Sequence, residues 1–262
     1  MPDQLWRPQV HSTWQIVLSD PIKLPPNASS ISPNVEIFDI DLFENPKETI
    51  DTLHRLGKKA VAYFSAGSYE PERPDHKEFH SKDLGKKMDG WPKEKWVDLR
   101  SENVRRIMSR RIELAAQKGF DAIDPDNVDG YDNKNGLGLT KADSIDFIHF
   151  LAAKAHSLNL SIGLKNAGDI IPSVLSVVDF SVNEQCVQYK EADQFLPFIR
   201  AGKPVLHIEY PAELKSKAVK DICARTGHAK DAAVFSTIFK DMDLDGSIEF
   251  MDGTKAHTPT VS

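Results

Sequence analysis

Hydrophobic and polar positions along this chain follow two periods in turn, and the switch between them recurs from one end to the other. Short runs rich in β-branched and aromatic residues fall at 14–18, 35–40, 59–64, 121–125, 161–164, 180–184, 205–209 and 235–239. Their length and makeup predict strands, and a further short run at 96–99 predicts an extra strand or an extended loop. Helical spacing fills most of the gaps. Ile50, Leu53 and Leu56 share one side of 48–56. Ser101 is the expected N-cap of a helix carrying Val104, Ile107, Met108, Ile112 and Ala115, with Gly119 as its stop. Thr140 and Asp143 read as a capping box before Ile145, Ile148, Leu151, Ala152 and Ala155. Eight strands interleaved with helices over 262 residues predict one domain spanning 1–262, a (β/α)8 barrel. A doubly wound sheet would carry a glycine-rich phosphate turn after its first strand, and Leu18-Ser19-Asp20-Pro21 is not one. The stretch 21–34 is rich in Pro, Ser and Asn, which predicts a loop in place of the first helix.

Composition narrows the partners. A net charge of −6 argues against nucleic acid and is compatible with a cationic ligand. No run of eighteen apolar residues exists, so no membrane span is expected. Residues 1–14 lack the apolar stretch of a secretion signal, so the expectation is a cytoplasmic chain if it is complete, or one that starts after a removed signal. Cys186 and Cys223 are not spaced as a metal signature; a disulfide between them and two unpaired thiols both stay open. Sequons at Asn27 and Asn159 matter only in a secreted protein. No cofactor is expected, and the oligomeric state is undetermined.

The polar residues make the pattern specific. Side chains two apart share a strand face. Asp39 with Asp41, Tyr63 with Ser65, Asp124 with Asp126, Lys165, Glu184, His207 with Glu209, and Asp241 with Asp243 all fall at or after strand ends. In a barrel such residues converge on the carboxyl-end mouth, where barrel enzymes hold their chemistry. The segment Asp124-Pro125-Asp126-Asn127 is a poor continuation of a sheet, because Pro removes a ladder donor and Asp and Asn favour turns. Two carboxyl groups from different strands suit glycoside hydrolysis: one protonates the leaving oxygen, and the other attacks the anomeric carbon or activates water. Asp124 or Asp126 opposite Glu184 meets that need. Other roles stay open at this point. Asp126 can cap its own turn, Glu209 can pair with Lys165, and Lys165 can orient a carboxylate or hold a sugar hydroxyl. The run Asp241-Met242-Asp243-Leu244-Asp245-Gly246, with Asp252 at its twelfth position, matches the start of a calcium loop, although a strand rather than a helix is expected before it. A metal-dependent hydrolase is disfavoured, since no histidine pair sits at a strand end.

Seven ordered segments give a resemblance. Phe38-Asp39-Ile40-Asp41-Leu42-Phe43, Tyr63-Phe64-Ser65-Ala66-Gly67-Ser68-Tyr69-Glu70, Gly90-Trp91-Pro92, Asp124-Pro125-Asp126-Asn127-Val128-Asp129-Gly130-Tyr131, Gly163-Leu164-Lys165-Asn166, Asn183-Glu184-Gln185-Cys186 and Ile208-Glu209-Tyr210 together resemble glycoside hydrolase family 114, the endo-α-1,4-polygalactosaminidases. The resemblance spans about 14–246. It implies a (β/α)8 barrel, cleavage of α-1,4-linked galactosamine in the exopolysaccharide galactosaminogalactan, and acidic catalysts among Asp124, Asp126 and Glu184. It also favours secretion. Relatives often carry a further cysteine where this chain has Glu191-Ala192-Asp193, which leaves a family disulfide unsupported here.

A de-acetylated galactosamine polymer is cationic near neutral pH. A mouth lined by Asp39, Asp41, Asp124, Asp126, Asp129, Glu184 and Glu209 would attract it. Tyr63, Tyr131, Tyr210, Trp91 and Trp96 offer flat faces for rings and amines, while Lys165 and Asn166 complete the expected contacts. Among so many acids, one is expected to hold its proton and serve as donor. The competing expectations are a carbohydrate-binding barrel without catalysis, and calcium binding through 241–252.

Overall fold

A computed structural model describes residues 5–213, 220–222, 224 and 226–261. In chain order, β1 (Trp14–Val17), β2 (Ile37–Asp41) and β3 (Lys59–Ser65) start the barrel. A separate three-stranded sheet follows: β4 (Ser68–Tyr69), β5 (Leu84–Met88) and β6 (Trp91–Val97). The barrel resumes with β7 (Ala122–Asp126), β8 (Ser161–Lys165), β9 (Phe180–Glu184), β10 (Val205–Glu209) and β11 (Ser236–Phe239). The eight barrel strands run in parallel in the order β1-β2-β3-β7-β8-β9-β10-β11. At the seam, the Trp14 indole donates to the carbonyl of Ser236 across from β1 to β11 at 2.7 Å. The (β/α)8 expectation holds, and each of the eight expected strands is present. The run at 96–99 is the end of β6 and its exit, in the extra sheet rather than the barrel.

Helices among the described residues include α1 (Lys47–Arg55), α2 (Glu102–Lys118), α3 (Lys141–Ser157), α4 (Ile171–Val174) and α5 (Ala192–Arg200). Their ends follow the capping residues. Ser101 accepts from the Val104 amide, Gly119 closes α2 at φ 88°, and Thr140 and Asp143 cap α3 reciprocally. A loop replaces the first helix, as expected. The end of the chain lies against it: Ile22 pairs with Thr260, and the Lys23 amide donates to Pro259 at 2.7 Å. After β11 the chain returns as the antiparallel strands β12 (Ser247–Phe250) and β13 (Lys255–His257) instead of a last helix.

Strand alternation divides the core into two layers. Val17, Phe38, Ile40, Ala62, Phe64, Ile123, Ile162 and Leu164 point outward, into the layer under the helices. Trp14, Ile16, Ile37, Val61, Ala122, Phe180, Val182, Leu206 and Ile208 fill the barrel interior. Each fully buried aliphatic side chain contributes roughly 1.5–3 kcal/mol. The inward series is apolar at the bottom and polar at the top: Ile37-Asp39-Asp41 on β2, Ala122-Asp124-Asp126 on β7, Phe180-Val182-Glu184 on β9. On β10 it is Leu206, Ile208 and then Tyr210 just beyond the strand, so His207 and Glu209 face outward. Phe180 fills the space over Gly163 so closely that a Cβ there would meet its ring at 2.7 Å.

Candidate active site

Three strand ends carry the chemistry, and the same backbone device ends each. Asn127, Asn166 and Gln185, which follow Asp126, Lys165 and Glu184, have left-handed backbones with φ of 60°, 48° and 63°. Each turns the chain sharply off its strand and leaves the preceding side chain at the mouth. Asn tolerates this region; Gln does so at a cost of order 1 kcal/mol. Gly67, just after β3, makes the turn at Asp126 possible. Its amide and that of Ala66 donate to the Asp126 carbonyl at 3.1 and 2.8 Å, and a Cβ at Gly67 would lie 1.6 Å from the Asn127 carbonyl oxygen.

Lys165 is the hub. Its ammonium is buried, 3.0 Å from Asp124 Oδ2 and 3.9 Å from both Asp126 Oδ2 and Glu184 Oε2. It also lies 4.9 Å from the Tyr63 ring centre. The two 3.9 Å arms bring the Asp126 and Glu184 carboxylates to within about 8 Å of each other, inside the range in which a carboxyl pair flanks a glycosidic bond. Asp126 accepts from Tyr63 Oη at 2.8 Å on one oxygen and from the Asn127 amide at 2.6 Å on the other. Glu184 accepts from Tyr210 Oη and, at 3.4 Å, from Asn166 Nδ2, while its own amide donates to Asn166 Oδ1 at 2.8 Å. Asp126 keeps 17% and Glu184 23% of its side chain open, whereas Asp124 has none.

Burial and charge set the protonation of the lower tier. Burial lowers the Lys165 pKa, but Asp124, Asp126, Glu184 and Asp39 together outweigh it and hold the ammonium firmly charged. Burial pushes Asp124 up to about 6; Lys165 opposes this, and Asp126 and Glu184 add repulsion. One ammonium does not offset burial plus two further carboxylates, so both partners of this ion pair have raised pKa values. Asp129, at the rim, is also pushed up to about 6, by burial and then by Asp126.

A cleft of about 720 Å³ opens above this group. Of the residues expected there, Tyr63, Asp126, Asp129, Tyr131, Lys165, Asn166, Glu184 and Tyr210 line it. Tyr131 donates to Asp169. Four expectations find different places. Asp124 lies under Lys165 with no exposed surface, and Asp39 is fully buried on the same inner face. Asp41 is buried at the end of β2, where it accepts from the Phe43 and Glu44 amides and pairs with Arg73 at 2.7 Å. Glu209 faces out of the barrel: it accepts from the Val187 amide at 2.8 Å and pairs with His207 at 2.9 Å rather than with Lys165. The phase of β10 is the cause, since its interior positions belong to Leu206 and Ile208.

Sequence reasoning missed Glu70, Arg73, Glu94, Tyr189, Gln194 and Met242, which also line the cleft. Glu70 lay within one of the seven segments, but no strand-end rule marked it. Glu94 comes from β6, in the inserted sheet, where barrel alternation gives no guidance. Trp91 lines the rim and is exposed, while Trp96 is buried and packs over Gly130, 3.2 Å from where a Cβ would sit.

The acidic loop after β11 is organised by a cation of the protein itself. Lys240 Nζ donates to the carbonyls of Asp245 and Ser247 at 2.6 Å and to Gln15 Oε1 at 3.1 Å. A strand, β11, precedes the loop, so the helix–loop geometry of a calcium hand is not formed. Among the described residues, one cluster brings three ligand types together: Cys186, His207 and Glu209, all buried. Both nitrogens of His207 are already engaged there, Nδ1 with Thr237 and Nε2 with Glu209, each at 2.9 Å. Cys223, and with it the disulfide expectation, lies outside the described residues.

An inward-facing carboxyl pair at the carboxyl end of a parallel barrel, under an open cleft, defines the glycosidase class of (β/α)8 proteins. Residues 1–256 match the family model described as glycoside-hydrolase family GH114, and the chain belongs to that family. The fold is similar to a crystal structure of Aspergillus fumigatus Ega3 in complex with galactosamine, at 49% identity and a TM-score of 0.86, covering 94% of this chain and 98% of that one. It is also similar to the glycoside hydrolase domain of PelA from Pseudomonas aeruginosa, at 13% identity and a TM-score of 0.65, covering 89% and 96%. At 8% identity and a TM-score of 0.55, the trehalulose synthase MutB from Pseudomonas mesoacidophila shares the barrel over 76% of this chain and 56% of its own. No curated relative matches the chain.

Proposed function

We propose that this protein is an endo-acting glycosidase that cleaves α-1,4-linked galactosamine in a cationic polysaccharide, with Asp126 and Glu184 as its reacting carboxyl pair. The observation that carries this reading is their convergence on Lys165 at 3.9 Å each, with both side chains partly open to one cleft. Asp126 receives a short donor on each oxygen, which fixes its orientation at the cleft floor, and it takes the role of nucleophile or base. Glu184 is the more open of the two and acts as the proton carrier to the leaving oxygen. Asp129, Asp132, Glu70 and Glu94 surround the cleft and draw a polyamine chain to it. Exposed Trp91 and Tyr189 at the rim offer stacking faces for successive sugar rings. The 49% identity to Ega3, crystallised with galactosamine, supports the same sugar here.

The test is digestion of galactosaminogalactan before and after de-acetylation, with products read by mass spectrometry. Short hexosamine oligomers are the expected result. Glu184→Gln and Asp126→Asn are expected to lower the rate by a factor of order 10³ or more while polymer binding persists. Full activity in either variant would remove that residue from the reaction, and no oligomers from either polymer would overturn the substrate.

A further inference from the structure

On the inner face of the barrel, three buried carboxylate oxygens of Asp39 and Asp124 have no hydrogen-bond partner. Both oxygens of Asp39 and Oδ1 of Asp124 are sealed from solvent and unpaired. The two residues come from different strands. In the ladder Asp39 is level with Val61, and Val61 with Ala122, so Asp39 sits one inward position below Asp124. Their carboxyl groups are within hydrogen-bonding reach of each other. The other oxygen of Asp124 is taken by Lys165 at 3.0 Å. Two ionised carboxylates in contact without solvent repel strongly, and each leaves lone pairs unsatisfied. A single proton between them removes the repulsion and pairs one Asp39 oxygen with Asp124 Oδ1.

We propose that Asp39 is a positioning residue that remains a neutral carboxylic acid and donates its proton to Asp124 Oδ1, holding Asp124 and Lys165 in register beneath Asp126 and Glu184. Asp39 touches no substrate; it acts through Asp124. The inference rests on the carboxyl-pair reading of the mouth. The charged groups acting on Asp39 are Asp124 and Asp126 from β7 and Lys165 from β8. Burial and then Asp124 drive its pKa well above the ordinary carboxylate range, with Lys165 as the main opposing influence. With Asp39 neutral, Lys165 faces three carboxylates rather than four. Its ammonium is then held by Asp124 from below and stays centred between the two reacting groups. Without a donor on Oδ1, Asp124 is free to rotate, and the ammonium is free to follow it away from one of them.

The test compares Asp39→Asn, which keeps a neutral donor of the same shape, with Asp39→Leu, which keeps the branched outline and removes the donor. Asp39→Asn is expected to hold kcat within about threefold of the parent, and Asp39→Leu to lose about tenfold or more in kcat with KM changed less than about twofold. Infrared spectra of the protein without substrate supply a second readout. A protonated-carboxyl carbonyl band, sensitive to deuteration and present at pH ~9, where Glu70, Asp124 and Asp129 have lost their protons, is expected in the parent and absent from Asp39→Asn. That band does not depend on hydrolysis of any polymer, so it stands apart from the substrate assignment, and it decides the matter if Asp39→Leu fails to fold. Absence of the band, or Asp39→Asn as impaired as Asp39→Leu, or unaltered kcat in Asp39→Leu, would overturn the proposal.

Discussion

Replacing Lys165 with methionine keeps most of its volume and removes the cation that lies between the three carboxylates. The ammonium lies 3.0 Å from Asp124 and 3.9 Å from Asp126 and Glu184. At an effective dielectric of about 20, the first contact is worth roughly 5 kcal/mol and each of the others roughly 4 kcal/mol, all gross attraction. Desolvation of a fully buried ammonium offsets much of that. The measured cost of deleting one partner of a buried pair is about 3–5 kcal/mol. The carboxylates left behind reduce the cost by taking up protons, at about 1.4 kcal/mol per pH unit. Asp124, already at about 6, is pushed further up once its counter-charge is gone. The destabilisation of Lys165→Met is therefore expected to be about 3 kcal/mol or more at pH ~7.5 and to shrink toward pH ~5. Hydrolysis is expected to fall by a factor of order 10²–10³, with the acid limb of the rate profile moved to higher pH. Urea unfolding at the two pH values and kcat/KM across pH measure both effects. Equal destabilisation at both values together with an unshifted acid limb would refute the hub assignment.

Gly67→Ala is expected to destabilise by about 2 kcal/mol or more and to lower kcat, because its Cβ would meet the Asn127 carbonyl oxygen at 1.6 Å and displace the turn that presents Asp126; thermal melts and initial rates check this. Glu70 is held up to about 7 in the folded state, mainly by burial, with Arg73 and Arg111 pulling the other way. The fold therefore keeps a proton that the unfolded chain has lost, so this group's contribution to stability falls as pH rises from about 4.5 to about 7. Glu70→Gln is expected to flatten that slope by roughly 2–3 kcal/mol, measured by urea unfolding at both ends of the window. Glu209→Ala is expected to cost about 2–3 kcal/mol of stability through the orphaned Val187 amide and His207. KM should hold, and a large rise in KM for the polymer would return Glu209 to the mouth.

Much of the barrel is written in local pattern. Short apolar runs set the eight barrel strands, and Ser101, Gly119 and the Thr140–Asp143 pair set three helix ends, because capping depends on a few adjacent atoms. The acids destined for the mouth were legible from their place at strand ends, and Asp126 and Glu184 do share the cleft. Alternation, however, fixes only which residues share a face. It does not say which face closes inward or how deep a residue lies.

Tertiary closure supplied both answers. Asp124 and Asp126 point the same way, yet one layer of barrel depth seals the first beneath Lys165 and leaves the second open. Glu209 has the same strand-end placing as Glu184, but the packing of Leu206 and Ile208 into the interior turns it outward. Glu94 and Trp91 reach the cleft only because β6 belongs to a sheet inserted after β3. Chain-local forces determine elements, caps and the inventory of charges. Depth, phase and the meeting of residues more than a hundred positions apart, such as Tyr63 and Lys165, depend on long-range burial, which no short window of sequence contains.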